Sequence, residues 1–362
     1  MKFDLDYLIV GQGLAGTWMS YFLQKMGYSV KIVDCYNPNA ASYIASGIIN
    51  PITGRKLIKT WKVKELLPFA EQYYPELAQF LNIPACCGHK NIVWLVSNNQ
   101  QWNGFNARNA NPNYQPYIKT ISKEDFSPTL QQKLGYVEVQ GSFHVDTKKL
   151  ITTYRNYLSS KGLLINKTFE YADLDVLPSG EGVYWNGIRV KRIVFCEGYK
   201  GQHNPWFNWL PFAPAKGEVL IIKAPKLANY GKIIKGKVFI LPIDTSQHLY
   251  WVGSNYSWQP LDETPTPAGK ELLLERLEAL INVPYEIVDH IAGVRPATQA
   301  RRPFVGIHPK FPQLTLLNGL GTKGVSMSAY FAHHLVHHLI SGSPILHEVD
   351  IQKYWLNKQK EV

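Results

Sequence analysis

The sequence predicts a mixed α/β fold: a doubly wound, parallel-stranded domain carrying an inserted, mainly antiparallel sheet domain. Three observations lead there. Residues 7–34 run strand, helix, strand around a glycine-rich turn. Short apolar runs ending near glycine recur at residues 193–196 and 314–317. Between those runs, residues 217–258 alternate in the manner of antiparallel strands. A chain of 362 residues also exceeds the roughly 250–300 that one core encloses, so two domains are expected.

Taken in order, Tyr7-Leu8-Ile9-Val10 has the unbroken apolar character of a buried parallel strand. Residues 14–26 form the next helix, with Trp18, Phe22 and Leu23 on one face and Gly27 as its stop. Residues 30–34 are the second strand, completing a βαβ unit. Residues 61–80 are helical but interrupted by Pro68 and Pro75. Residues 82–135 turn rich in Asn, Gln, Pro and aromatics, with a strand at 92–96, and mark an excursion into a second domain. Helix 146–161 and strands 163–166 and 193–196 return to the first. Strands at 218–223, 238–241, 249–252 and 286–292 and a helix at 269–281 belong to the insert. Strand 314–317 and helix 326–340 close the chain. The expected division is residues 1–81, 141–204 and 293–362 for the discontinuous parallel domain, and 82–140 with 205–292 for the inserted one.

A composition of 45% hydrophobic, 18% charged and 13% aromatic residues excludes a disordered chain. No run approaches the ~20 apolar residues of a membrane span. The opening Met1-Lys2-Phe3-Asp4-Leu5-Asp6 does not read as a secretory signal. Cys35, Cys86, Cys87 and Cys196 lack metal or framework spacing, which suits free thiols in a reducing, cytoplasmic setting. The net charge of +11 favours anionic ligands, but the basic residues are scattered and read mainly as a solvated surface. Nucleic acid is the lesser reading of that charge.

The turn Gly11-Gln12-Gly13-Leu14-Ala15-Gly16 is G-x-G-x-x-G, and here it follows a strand, opens a helix and precedes a second strand ending in Asp34. That context makes it the fingerprint of a Rossmann-like dinucleotide site. Gly11 permits the tight turn, Gly13 lets backbone N–H groups reach a pyrophosphate, and Gly16 lets helix and strand pack closely. The N–H groups of Leu14 and Ala15 belong to the helix N-terminus that would face the phosphates. Asp34 would accept from the adenosine ribose hydroxyls and repel a 2′-phosphate. The fingerprint alone leaves NAD and FAD open.

Four further segments carry a resemblance. Residues 42–55 (S-Y-I-A-S-G-I-I-N-P-I-T-G-R) resemble the loop that crosses the flavin in the D-amino acid oxidase family, which includes glycine oxidase and sarcosine oxidase. Residues 193–201 are similar to that family's strand and glycine turn. Residues 292–306 (A-G-V-R-P-A-T-Q-A-R-R-P-F-V-G) are similar to its G-x-R-P segment, and residues 318–326 (N-G-L-G-T-K-G-V-S) to its turn into the last helix. The resemblance implies FAD, and oxidation of an amine or amino acid by hydride transfer to flavin N5, giving an imine that hydrolyses. It implies FAD contacts at Ser46, Gly47, Gly198, Gly319, Gly321, Thr322, Lys323 and Gly324. Lys323 stands where sarcosine oxidase-like members carry a lysine beside flavin and substrate, whereas Thr322 stands where glycine oxidase-like members have an arginine. Arg295 matches the arginine that grips a substrate carboxylate, for which a planar guanidinium is well shaped; pairing with an acid such as Asp289 is its structural alternative. Arg55 and Tyr256 are weaker pocket candidates. Residues 297–306 hold no cysteine, so the FAD is expected to be noncovalent.

No metal is expected. His333, His334, His337 and His338 have i, i+4 spacing but no acid or cysteine completes a set nearby. The expected partners are a small amine or amino acid and an electron acceptor, dioxygen or another. Two alternatives stand beside this: a tRNA-modifying amine oxidase, motivated by the positive charge, and a non-catalytic flavin-binding protein.

Overall fold

The computed structural model describes residues 2–54, 57–121, 129–131, 134–178, 180–227 and 231–360. The chain opens with strand β1 (Leu5–Val10), helix α1 (Leu14–Lys25) and strand β2 (Val30–Val33). The two strands are parallel, Val10 beside Val33. Against the other edge of β1 lies Ile188–Phe195, also parallel, with Phe195 beside Val10; Leu314–Asn318 continues the parallel set beyond it, Leu316 beside Phe195. Leu164–Ile165 joins β2 in the same direction. Antiparallel strands Leu174–Val176, Val183–Trp185 and Phe304–Ile307 complete this eight-stranded sheet.

The strands of this sheet are apolar throughout because both faces are covered. Tyr7 and Ile9 point into a core shared with α1, Thr147–Ser160 and Gly324–Ser341, while Leu8 and Val10 point into one built with Phe195, Phe207 and Phe304. The same sandwiching corrects the expectation for α1. Every residue from Leu14 to Leu23 is buried, not one face alone, because the helix lies between the sheet and the helix Gly324–Ser341. The expected break at Pro68 and Pro75 is also absent: Val63–Phe80 is one helix containing both. Its apolar stripe, including Leu66, Leu67, Ala70, Tyr74 and Leu77, packs on the helix Gly324–Ser341, and that burial overrides the roughly 3 kcal/mol that an interior proline costs.

A second eight-stranded sheet runs in the order Glu286–Arg295, Ala215–Lys223, Leu249–Gly253, Phe239–Asp244, Ile233–Lys235, Ile92–Val96, Gly135–Val139, Ile118–Ile121. It is antiparallel except where Ile233–Lys235 lies parallel to Ile92–Val96, the pair that stitches the two halves of the sheet together. Alternation divides its faces. Val93, Leu95, Leu220, Ile222 and Val252 pack under the helix Pro267–Glu278, and Trp94, Val96, Val219, Leu241 and Trp251 face Ile44 and Ile52 of the loop that follows β2. The strand Glu286–Arg295 runs past residue 292, so Arg295 is carried on this sheet. Among the described residues, no helix is long and apolar enough to cross a membrane.

Burial holds the imidazoles of His144, His308 and His333 down to about 4, against an ordinary 6.5. Each stays neutral in the folded chain, and the unfolded chain takes up its proton first on acidification, so stability present above pH 6.5 drains away towards pH 4. The thermal midpoint, followed by circular dichroism, is expected to fall by several degrees across that window; a flat profile would show that these rings do not oppose acidification.

Candidate active site

Three glycine turns meet at the carboxyl ends of β1, Ile188–Phe195 and Leu314–Asn318, the edge at which open α/β sheets bind ligands. In the first turn Gly11 has φ of +98°, and a Cβ there would lie 2.5 Å from the Cys196 carbonyl oxygen. A Cβ on Gly16 would lie 1.8 Å from the Gly11 oxygen, so only glycine lets α1 sit this close to the strand end. The Asn318 amide donates to the Gly198 carbonyl at 2.9 Å and ties the second turn to the third. Asp34 accepts from the Gln12 N–H at 2.9 Å and from Arg155 Nη1 at 2.5 Å. Arg155 is a residue the sequence did not flag. Its guanidinium also reaches Asn166 and lies 5.6 Å from the Tyr36 ring.

From α1 a cavity of about 440 Å³ runs between the loop after β2, the second sheet and the turn into the helix Gly324–Ser341. Leu14, Ser46, Gly47, Tyr256, Arg295, Gly321, Thr322, Lys323 and Gly324 line it. Gly11, Gly13, Ala15, Gly16, Asp34, Gly198 and Gly319 do not; they surround the turns at the strand ends. Arg55 lies outside the described residues. Ser42, whose hydroxyl accepts from the Leu14 N–H at 3.1 Å, lines it as well, as do Asn50, Lys235 and Trp251. The Trp251 indole donates to the Ile44 carbonyl at 3.0 Å and so clamps the loop to the second sheet.

Arg295 extends across the sheet over Gly217. A Cβ on Gly217 would stand 1.9 Å from Arg295 Nη2, so the missing side chain is the space that the guanidinium fills. Nη1 donates to the Lys216 carbonyl at 2.9 Å, and Nη2 donates to Ser254 Oγ at 2.7 Å and the Asn255 carbonyl at 3.2 Å. The Tyr256 ring sits 5.1 Å from the guanidinium carbon. These partners are all neutral. Among the described residues no carboxylate lies within ion-pair reach of Arg295, and Asp289 instead accepts from the His290 N–H. A buried guanidinium held by neutral oxygens keeps its full charge and spare N–H donors for an anion.

Lys323 reaches the same cavity from the turn Gly321–Lys323, immediately before Gly324–Ser341. Its ammonium is 3.5 Å from Thr53 Oγ1, and burial, reinforced by the charge of Arg302, lowers its pKa. The N–H groups of Gly324, Val325 and Ser326 open the helix here and add its positive end to the field. On that helix His333 Nε2 and His337 Nε2 are 3.2 Å apart, and the His333 ring packs against Phe22 and Phe69. No group of three His, Cys, Asp or Glu side chains suited to a metal occurs among the described residues.

Solved structures with this architecture include glycine oxidase from Bacillus cereus ATCC 14579, with a TM-score of 0.79 at 19% identity over 96% of this chain and 97% of that one. Iminodiacetate oxidase from Chelativorans sp. BNC1 matches with a TM-score of 0.78 at 20% identity over 96% and 98%. L-proline dehydrogenase from P. horikoshii matches with a TM-score of 0.77 at 13% identity over 99% of both chains. The sequence profile of the FAD dependent oxidoreductases matches residues 6–338. Spanning nearly the whole chain, from the fingerprint strand into the helix Gly324–Ser341, that match places the protein in the FAD-dependent oxidoreductase family typified by D-amino acid oxidase.

Proposed function

We propose that this enzyme oxidises the C–N bond of an amino acid or a carboxylate-bearing secondary amine to an imine, which then hydrolyses. The observation that carries the reading is the pair of cations, Arg295 and Lys323, converging on one cavity beside a helix N-terminus, with no carboxylate paired to either among the described residues. The glycine oxidase, iminodiacetate oxidase and proline dehydrogenase that share the fold support it.

The residues present fit FAD. Asn50 Nδ2, on the cavity wall, and the Tyr43 hydroxyl, in the field of Asp34 and Arg155, are buried without partners. A bound cofactor can supply partners to buried polar groups of this kind, one on the cavity wall and the other beside the Asp34–Arg155 pair. The turn Gly11 to Gly16 and the N-terminus of α1 would hold the pyrophosphate, Asp34 the ribose, and Ser46, Gly47, Lys323 and Gly324 the ring system. The chemistry FAD supplies when bound is acceptance of a hydride from the C–N carbon, with dioxygen or another acceptor restoring the oxidised cofactor.

The chain's own residues set the stage for that step. Arg295 grips the carboxylate with the donors left over from Ser254 and the backbone, and the Tyr256 ring fixes the plane of the fork. Lys323 and the helix N-terminus hold the neighbouring region electropositive, where charge develops during the reaction. Trp251 and Phe239 wall the cavity and reduce its water content. None of the four cysteines lines the cavity, which supports noncovalent FAD. Four free cysteines also suit a cytoplasmic setting. The net charge remains the sole support for a tRNA substrate.

Anaerobic titration with amino acids and secondary amines is expected to bleach the flavin absorbance with at least one of them; a panel that leaves it unchanged refutes the reading. Arg295→Met should raise KM for a carboxylate substrate by about 10- to 100-fold, the worth of a charge-assisted pair, while FAD content stays the same. Gly217→Ala should raise KM in the same direction with the fold intact, because its Cβ needs the volume of the guanidinium; unchanged KM in both variants removes Arg295 from the site. Acid precipitation should release all the flavin into the supernatant, and colour retained in the pellet would show a covalent link.

A further inference from the structure

Lys235 ends the strand Ile233–Lys235 on the face of the second sheet that looks into the cavity, and it lines that cavity. Its ammonium lies 4.3 Å from the centre of the Trp94 ring and 4.1 Å from that of Phe239. Among the described residues it has no ion pair and no hydrogen bond. Burial alone pushes its pKa down to about 8, with no charged neighbour contributing. Two aromatic faces offset only part of the cost of burying a cation, so the site is stable but unsatisfied. A surface lysine of purely structural use would turn its head to bulk water. This one turns it to the cavity.

The sheet register fixes where this third cation stands relative to Arg295. Lys235 lies opposite Phe239, and Phe239 opposite Gly253, the residue before Ser254, which accepts from the guanidinium. Lys235 and Gly253 are therefore two strand spacings apart, roughly 10 Å, with side chains from both ends reaching into the space between. The cavity thus has a cation at each end of the sheet-facing wall and the apolar rings of Trp251 and Phe239 along it.

We propose that Lys235 binds a second, distal anionic group of the substrate, so that the enzyme prefers amines bearing two carboxylates over those bearing one. This rests on the reading of Arg295 as the clamp for the first carboxylate. Lys235 does not touch the reacting bond; it selects and positions.

The test is calorimetric titration of the FAD-loaded enzyme with unreactive acids: succinate, glutarate and adipate against butyrate. The wild type is expected to bind its best dicarboxylate at least tenfold more tightly than butyrate. Lys235→Met should bring that ratio close to one, and Lys235→Arg, which keeps a cation, should restore most of it, so that a general loss of fold is told apart from a lost charge. Arg295→Met should weaken both classes of acid. Equal affinities in the wild type, or a ratio that survives in Lys235→Met, overturns the proposal. If Arg295→Met leaves butyrate binding untouched while Lys235→Met still abolishes the preference, the Arg295 clamp fails and the Lys235 subsite stands.

Discussion

Parallel pairing of β1 with Ile188–Phe195, and of that strand with Leu314–Asn318, is the constraint on which the rest of the molecule depends. Val10, Phe195 and Leu316 lie side by side, so three turns distant in sequence end at one edge. Each turn must let backbone approach backbone. Gly11 rests against the carbonyl of Cys196, Gly16 against that of Gly11, and Asn318 bonds the carbonyl of Gly198. The strand ends can be this close only because side chains are missing between them. The helix N-termini that follow the first and third turns are thereby aimed at a common region, and a dinucleotide can be held by backbone dipoles at both ends.

The second sheet brings the chemistry to that frame. Its apolar face meets the loop after β2, and the Trp251–Ile44 bond fixes their separation. Around the cavity so formed the chain keeps Arg295, Lys323 and Lys235 partly or wholly out of water, and among the described residues no acid is paired with any of them. Such an arrangement costs stability in the absence of an anionic ligand. The fold tolerates it through the neutral oxygens around Arg295, the rings around Lys235 and the hydroxyl near Lys323. Apolar residues at these positions would cost less, and on the proposed reading the three cations offset that cost by meeting an anionic substrate. Some charges elsewhere that leave water are paired, as in Lys216 with Asp262 and Lys232 with Glu138.

The βαβ unit, the glycine fingerprint, most strands and the late helix were legible in the sequence because local patterns govern them: apolar runs, caps and turn residues act within a few positions. Where packing competes with local preference, legibility fails. Pro68 and Pro75 remain helical because the stripe around them is buried against the helix Gly324–Ser341. The helix α1 is buried on all sides because a second layer covers the face that its sequence would leave outward.

The same division holds for the site. The motif residues from Gly11 to Gly16, Arg295 and Lys323 stand in recognisable strings, and the family was determined by sequence alone. Lys235, Arg155 and Gly217 stand in none, and Ser42 and Asn50 lie in the string 42–55 without being singled out by it. Lys235 sits between Lys232 and Lys237 in a stretch where three lysines look alike, and only strand register turns one of them inward over Trp94 and Phe239. Gly217 is an ordinary strand glycine until Arg295, on the neighbouring strand, fills the space above it. Sequence thus determined the cofactor frame, whose contacts are made by short contiguous segments. Tertiary structure alone added Lys235 and Gly217 to the proposed substrate surface, because that part is assembled across strands from single residues whose charge or missing side chain has meaning only once the neighbouring strands are in place.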